Sequence, residues 1–363
     1  MRVHGVDRIL FITTLLLVAV GLFIVASASS GLSMKRFGTP YYFFIHQLVA
    51  GAGIGILLLF GAQYVSYKHW KAFAPALLIA SVFLMALLFV PKFGIIHGGA
   101  TRWLDFGLFS FQPSEILKFS FLLYLTSWLA AKKKELRTMS LGLIPFLLMI
   151  GFSGTFLILE PDIGTLGILS LTSAFLFFLG GGRLSHLGIV MLLGAVLLAA
   201  LIYVEPYRLS RLAVFLNPSL DRQGIGYQIN QAMVAIGSGG IGGKGFGFSF
   251  QKLHLLPEPA GDSIFAIVAE ESGFVGSFLL LFLFLLFFWR GILIAQRSRD
   301  TFAKLLASGL TLLVFIQVVV NSGSLLGLLP LTGIPLPFVS YGGTSLALHL
   351  AQVCILLNIS KHT

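Results

Sequence analysis

Ten stretches of mainly apolar residues dominate this chain: roughly 9–28, 44–62, 73–90, 113–131, 141–159, 163–180, 186–204, 263–289, 304–322 and 344–359. Crossing a bilayer takes about 20 such residues, and inside it only helices or closed barrels satisfy the backbone polar groups. Runs of this length predict an all-α polytopic membrane protein, with 1–363 forming one membrane domain. Only 10% of the residues are charged, against about 25% in a soluble domain. The first run follows Arg2 and Arg8 and precedes Ala26-Ser27-Ala28, the outline of a secretory leader. It is long for a leader's apolar core and many spans follow, so it reads as a retained span.

Lys and Arg set the orientation. With the N-terminus inside, the inner face holds Arg2, Arg8, Lys68, Lys71, Lys132, Lys133, Lys134, Arg137, Arg183, Arg290, Arg297, Arg299, Lys304 and Lys361. The short outer loops hold Lys35, Arg36, Lys92 and Arg102. Both termini are then cytoplasmic, and the long loop 205–261 between spans seven and eight is extracytoplasmic. The net charge of +11 is read as topology, so no nucleic-acid partner is expected. The acids are biased the other way. Asp105, Glu115, Glu160, Asp162, Glu205, Asp221, Glu258 and Asp262 lie at or near the outer face, which places the polar chemistry there. The single cysteine, Cys354, forms no intrachain disulfide. No convincing internal repeat is visible, which weighs against inverted-repeat transporters.

Asp262 sits where a polar loop becomes an apolar span, after Pro257, Pro259 and Gly261. A carboxylate there either caps the helix or acts as a general base, partly desolvated yet within reach of a proton donor. Glu270 and Glu271 follow half a span deeper, about 80° and 180° round a helix from Asp262. They cannot both share its site, and pairing with basic groups is the expected role.

Three other segments carry candidate chemistry. In 111–118, Pro113 suits a first helical turn, and Glu115 and Lys118 share a helix face. They are either a self-neutralising pair or, with Arg102, a notch for an anion. Glu160 and Asp162 flank Pro161. They are weak candidates for a divalent cation (Mg²⁺ or Mn²⁺) held with a phosphate, against the simpler reading that Asp162 caps a helix. Prolines 330, 335 and 337 break helicity before Ser340 and Tyr341, whose hydroxyls could face a polar cavity. The glycine run 237–247 around Lys244 is not a Walker A loop, because Ser238 and Gly245 stand where that motif needs Gly and Ser or Thr. It reads as a backbone close-approach loop or lid.

Taken together, these segments resemble the SEDS family of FtsW, RodA and SpoVE. The matching stretches are GATRWL (99–104), FQPSEILK (111–118), LEPDIGT (159–165), GYQINQAMVAIGSGGIGGKGFG (226–247), QKLHLLPEPAGDSIFAIVAEESG (251–273) and GLLPLTGIPLPFVSYGGTS (327–345). They occur in the family's order, and 207–228 leans towards FtsW over RodA. One departure stands beside the key acid: Ala260-Gly261-Asp262-Ser263 replaces a His-Thr-Asp-Phe pattern.

The resemblance implies a ten-span peptidoglycan glycosyltransferase. It would polymerise lipid II on the outer face of the bacterial cytoplasmic membrane, with a class B penicillin-binding protein and other divisome or elongasome proteins as partners. It carries the essential aspartate onto Asp262 and the fourth-span Glu and Lys onto Glu115 and Lys118. Arg102, Lys118, Arg208, Arg211 and Lys244 are candidates for balancing a pyrophosphate leaving group, with or without a divalent cation. No organic cofactor is expected. Two rivals use the same residues. A lipid II flippase would pass the headgroup through the polar notches, and a scaffold would activate a partner synthase without chemistry of its own.

Overall fold

The computed structural model describes residues 5–61, 64–97, 100–106, 110–217 and 224–362. Each of the ten apolar runs coincides with a helix: Arg8–Ala28, Tyr42–Gly61, Tyr67–Leu87, Pro113–Ala131, Met139–Leu159, Ile163–Leu179, Leu184–Val204, Ile264–Arg297, Thr301–Leu325 and Gly343–Ser360. Eight are long and apolar enough to cross a membrane. Ile163–Leu179 is shorter, and Pro113–Ala131 is diluted by Glu115, Lys118 and its serines. Pro113 opens its helix as expected, because a first-turn proline forfeits no intrahelical bond.

The ninth and tenth spans form the centre and are buried along most of their length. The seventh is the opposite case, with only His186 and Val190 buried among its residues. Two features go beyond the helical pattern. The loop after the third span folds into a three-stranded antiparallel sheet, Gly94–His97, Ala100–Asp105 and Ser110–Phe111, with Ile95 opposite Trp103 and Leu104 opposite Phe111. The loop 205–261 contains the helices Pro206–Leu216, Ile225–Gly239 and Gln251–His254.

The eighth span is broken. Its 34 residues would extend about 50 Å as one helix, more than a bilayer core requires. Gly273 interrupts it with φ 66° and ψ −161°. The glycine run fills the break. The N–H groups of Lys244 and Gly245 donate to the carbonyls of Glu270 and Glu271 at 2.9 and 3.0 Å, while Phe274 and Val275 donate to Gly240 and Ile241. Gly243 has φ +79°, and a Cβ there would lie 2.1 Å from the Glu271 carbonyl oxygen. No other residue fits that approach. The expected close-approach loop is therefore present. Glu270 and Glu271 are not isolated half-way down a continuous span. They end a short helix over 264–272, within reach of the loop.

Candidate active site

The loop 257–263 is held from three directions by backbone bonds. The Asn321 side chain, on the ninth span, donates to the carbonyls of Asp262 and Ile334, both at 2.7 Å. Ser340 donates its hydroxyl to the Gly261 carbonyl at 2.7 Å and accepts the Leu336 N–H at 2.8 Å. The Tyr341 N–H donates to the Ala260 carbonyl at 2.8 Å. A π-helical stretch, Gln47–Gly53, turns Gln47 towards the same place. Its amide donates to the Ser340 carbonyl and accepts the Gly342 N–H. Such stretches recur at functional sites because they aim one side chain out of register. The hydroxyls expected at Ser340 and Tyr341 are thus committed within the protein. Ser340 clasps the loop, and the Tyr341 hydroxyl lies 3.0 Å from His46 Nδ1.

This clamping leaves the Asp262 carboxylate with neutral partners. Gln228 Nε2 donates to Oδ1 at 3.2 Å, to Oδ2 at 3.3 Å and to the Ser263 hydroxyl at 3.0 Å, and that hydroxyl lies 3.4 Å from Oδ1. Asp262 does not cap the following helix. The cap position is Ser263, without a side-chain cap bond, and no helix N–H among the described residues donates to the Asp262 carboxylate. The capping role raised from sequence is therefore set aside. Burial pushes the Asp262 carboxyl up to about 6, and nearby Glu258 adds to this, while Gln228, Ser263 and Arg211 oppose it. A partly buried carboxylate poised near neutral pH and not used to hold the fold matches a general base. The serine at 263, where the family pattern has an aromatic, joins the polar contacts around it.

The cationic candidates separate. Arg211 is close enough to Asp262 to stabilise its charge, and its Nη1 donates to the Leu331 carbonyl at 3.3 Å. Arg208 lies on the Pro206–Leu216 helix, and its side chain falls outside the described residues. Lys244 is not placed at Asp262. Its Nζ is 2.8 Å from Glu270 Oε1, which together with Ser249 gives that buried carboxylate the basic partner expected from sequence. Glu271 pairs with Lys252 at 2.6 Å, and Ser27 donates to Glu271.

Glu115 and Lys118 form a buried pair at 2.7 Å. Arg102 does not join them. It reaches the carbonyls of Glu160 and Pro161 instead. Ser114 links the two clusters by donating to Glu160 at 3.3 Å. Asp162 caps the Ile163–Leu179 helix by accepting the Thr165 N–H at 3.0 Å. Burial, reinforced by the Asp162 charge, lifts Glu160 to about 9 against the pull of Arg102 and Ser114. A cation held here would have to displace the Glu160 proton and share Asp162 with the helix cap. Among the described residues no group of three or more His, Cys, Asp or Glu is gathered.

No sequence pattern assigns Gln228 or Asn321 to this site. Gln228 sits 34 residues from Asp262, a separation that no local pattern reveals.

Residues 7–363 match the cell cycle protein family that groups FtsW, RodA and SpoVE. The chain is 38% identical to the stage V sporulation protein E of Bacillus subtilis, over 98% of this chain and 97% of that protein. It is 39% identical to a probable peptidoglycan glycosyltransferase FtsW of Coxiella burnetii, over 98% and 96%. A chain from a solved peptidoglycan synthase complex, studied for how polymerization and crosslinking are coordinated, superposes with a TM-score of 0.82 at 28% identity, covering 98% of both chains. The rod shape determining protein RodA of Thermus thermophilus gives 0.68 at 28% identity, covering 98% and 96%. The chain belongs to the FtsW/RodA/SpoVE family and is a multi-pass membrane protein.

Proposed function

We propose, from membership of this family and from the Asp262 site, that the chain polymerises lipid II into glycan strands at the outer face of the cytoplasmic membrane. It is a peptidoglycan glycosyltransferase. Asp262 accepts the proton of the acceptor sugar's 4-hydroxyl. That oxygen attacks the donor's anomeric carbon as the bond to undecaprenyl pyrophosphate breaks, and the single displacement inverts the carbon. The pyrophosphate leaves as an anion, so it needs nearby positive charge rather than a second acid. Arg211 is the cation that stands beside the carboxylate, and Arg208 lies one turn earlier on its helix.

The observation that carries this reading is a carboxyl raised to about 6 that caps nothing and meets only neutral donors among the described residues. Both termini are cytoplasmic in this reading, and the partner is a class B penicillin-binding protein in the divisome or elongasome. Support for a partner comes from the synthase complex, whose chain this one matches across nearly its whole length.

Purified protein given labelled lipid II should yield polymer and Asp262→Ala should yield none, and a chelator arm decides whether a divalent cation takes part. Polymer from a well-folded Asp262→Ala protein would remove the base. Headgroup translocation in liposomes without polymer would make the protein a flippase. Full cellular function of the alanine variant would make it a scaffold.

A further inference from the structure

At the far end of the eighth span from Asp262, a cavity of about 340 Å³ opens between the start of the first span and the ends of the eighth and tenth. Asp7, Arg8, Ile9, Arg290, Ile294 and Arg297 line it. Asp7 is fully engaged. Arg290 pairs with it through Nε and Nη2, the Leu10 N–H donates to Oδ1 at 2.9 Å, and the Asp7 N–H donates to Ser360 at 3.1 Å. Arg290 is thereby neutralised. Arg8 and Arg297 are exposed and have no ion-pair partner among the described residues. The cavity therefore carries two uncompensated guanidinium groups. Ile9, exposed to 43%, and Ile294 give it an apolar side.

We infer that this cavity binds a phosphate group, and that the group belongs to the headgroup of an anionic phospholipid. Two guanidinium groups on separate helices lining one cavity suit a phosphate, whose oxygens arginine meets with paired N–H donors. The cavity lies on the face where the basic loops are gathered. There a membrane presents its anionic lipids to basic pockets between helix ends. The apolar side leaves room for the start of an acyl chain, which a free anion does not need. The Asp7–Arg290 pair fixes the first span, which carries Arg8, against the eighth, which carries Arg297. A bound headgroup would tie together three helices that otherwise meet at this end through Asp7 and Ser360.

Native mass spectrometry of the purified full-length protein tests this. The lipid arms are phosphatidylglycerol and phosphatidylcholine with identical chains, and a third arm adds inorganic phosphate as competitor. The wild type should retain phosphatidylglycerol about tenfold better. Arg8→Ala combined with Arg297→Ala should abolish that preference, and Lys132→Ala with Lys134→Ala should keep it. The double arginine variant leaves the Asp7–Arg290 pair intact, and an unchanged melting temperature confirms its fold. Complete displacement of the lipid by millimolar phosphate, in the wild type alone, would keep the phosphate site and identify the free anion as its source. Equal retention of the two lipids by the wild type, or an undiminished preference in the arginine variant, would overturn the inference.

Discussion

The short helix over 264–272 has carboxylates at both ends, and the fold treats them in opposite ways. At its C-terminal end, Glu270 and Glu271 are buried and each meets a lysine, Lys244 and Lys252, with serines completing the shells. At its N-terminal end, Asp262 is only partly buried and meets an amide and a hydroxyl. Burial raises its carboxyl. A carboxylate kept for structure is neutralised by a direct ion pair, whereas the one kept for proton transfer is hydrogen-bonded by neutral groups, with Arg211 near but not paired to it. The glycine loop makes the contrast possible. By entering the break at Gly273, it delivers Lys244 to one end and leaves the other to the clamps from Asn321, Ser340 and Tyr341.

Substitutions at the two ends should separate the roles. Asp262→Asn should lower polymerisation at least about 100-fold, the scale of a lost general base. It should also melt above the wild type at pH 8. A carboxyl whose folded-state pKa is raised weakens the fold once it ionises, so wild-type stability falls as pH rises from about 4 through about 6. The melting gap should close below that range. An Asp262→Asn protein that melts lower at pH 8 would mean that the carboxylate supports the fold after all.

Glu271→Ala should act on folding. It leaves the buried Lys252 ammonium without its partner, at a cost of about 3–5 kcal/mol. Glu271→Leu with Lys252→Met should recover much of the melting temperature. A neutral single variant would show that this end is not structural.

Gln228→Leu removes the largest contribution holding the Asp262 pKa down. The acid limb of the rate profile should move to higher pH, so the loss should be larger near pH 6 than at pH 8. An unmoved limb would detach Gln228 from the base. Glu160→Gln should cost least in activity, since the native carboxyl is already neutral at pH 7. Relative to the wild type its melting temperature should rise as pH increases from about 4.5, the unfolded-chain value, through about 9, the folded one, and a gap that stays flat across that range would mean that Glu160 is not held neutral.

The spans were legible because the apolar runs set their lengths, and the polar loop ending at Asp262 marked the place of the base. The glycine run announced a close approach but not its target, because Gly243 and Gly273 meet across 30 residues and only tertiary packing pairs them. The same limit applies to cations. Lys244 and Arg211 look alike as loop charges, yet one is committed to Glu270 and the other stands beside Asp262. Asp162 was recognisable as a cap because its partner Thr165 lies three residues on. The small sheet around Arg102 leaves no mark in the sequence because its strands are too short to impose an alternating pattern.

The pH dependence of kcat/KM for lipid II polymerisation by the purified protein tests the account most directly. Asp262 must be ionised to accept the acceptor's proton, so the rate should rise with pH and reach half its plateau near 6. A rate that stays flat from pH 5 to 8, or a half-point at the ordinary carboxylate value near 4, would contradict a buried general base at this position.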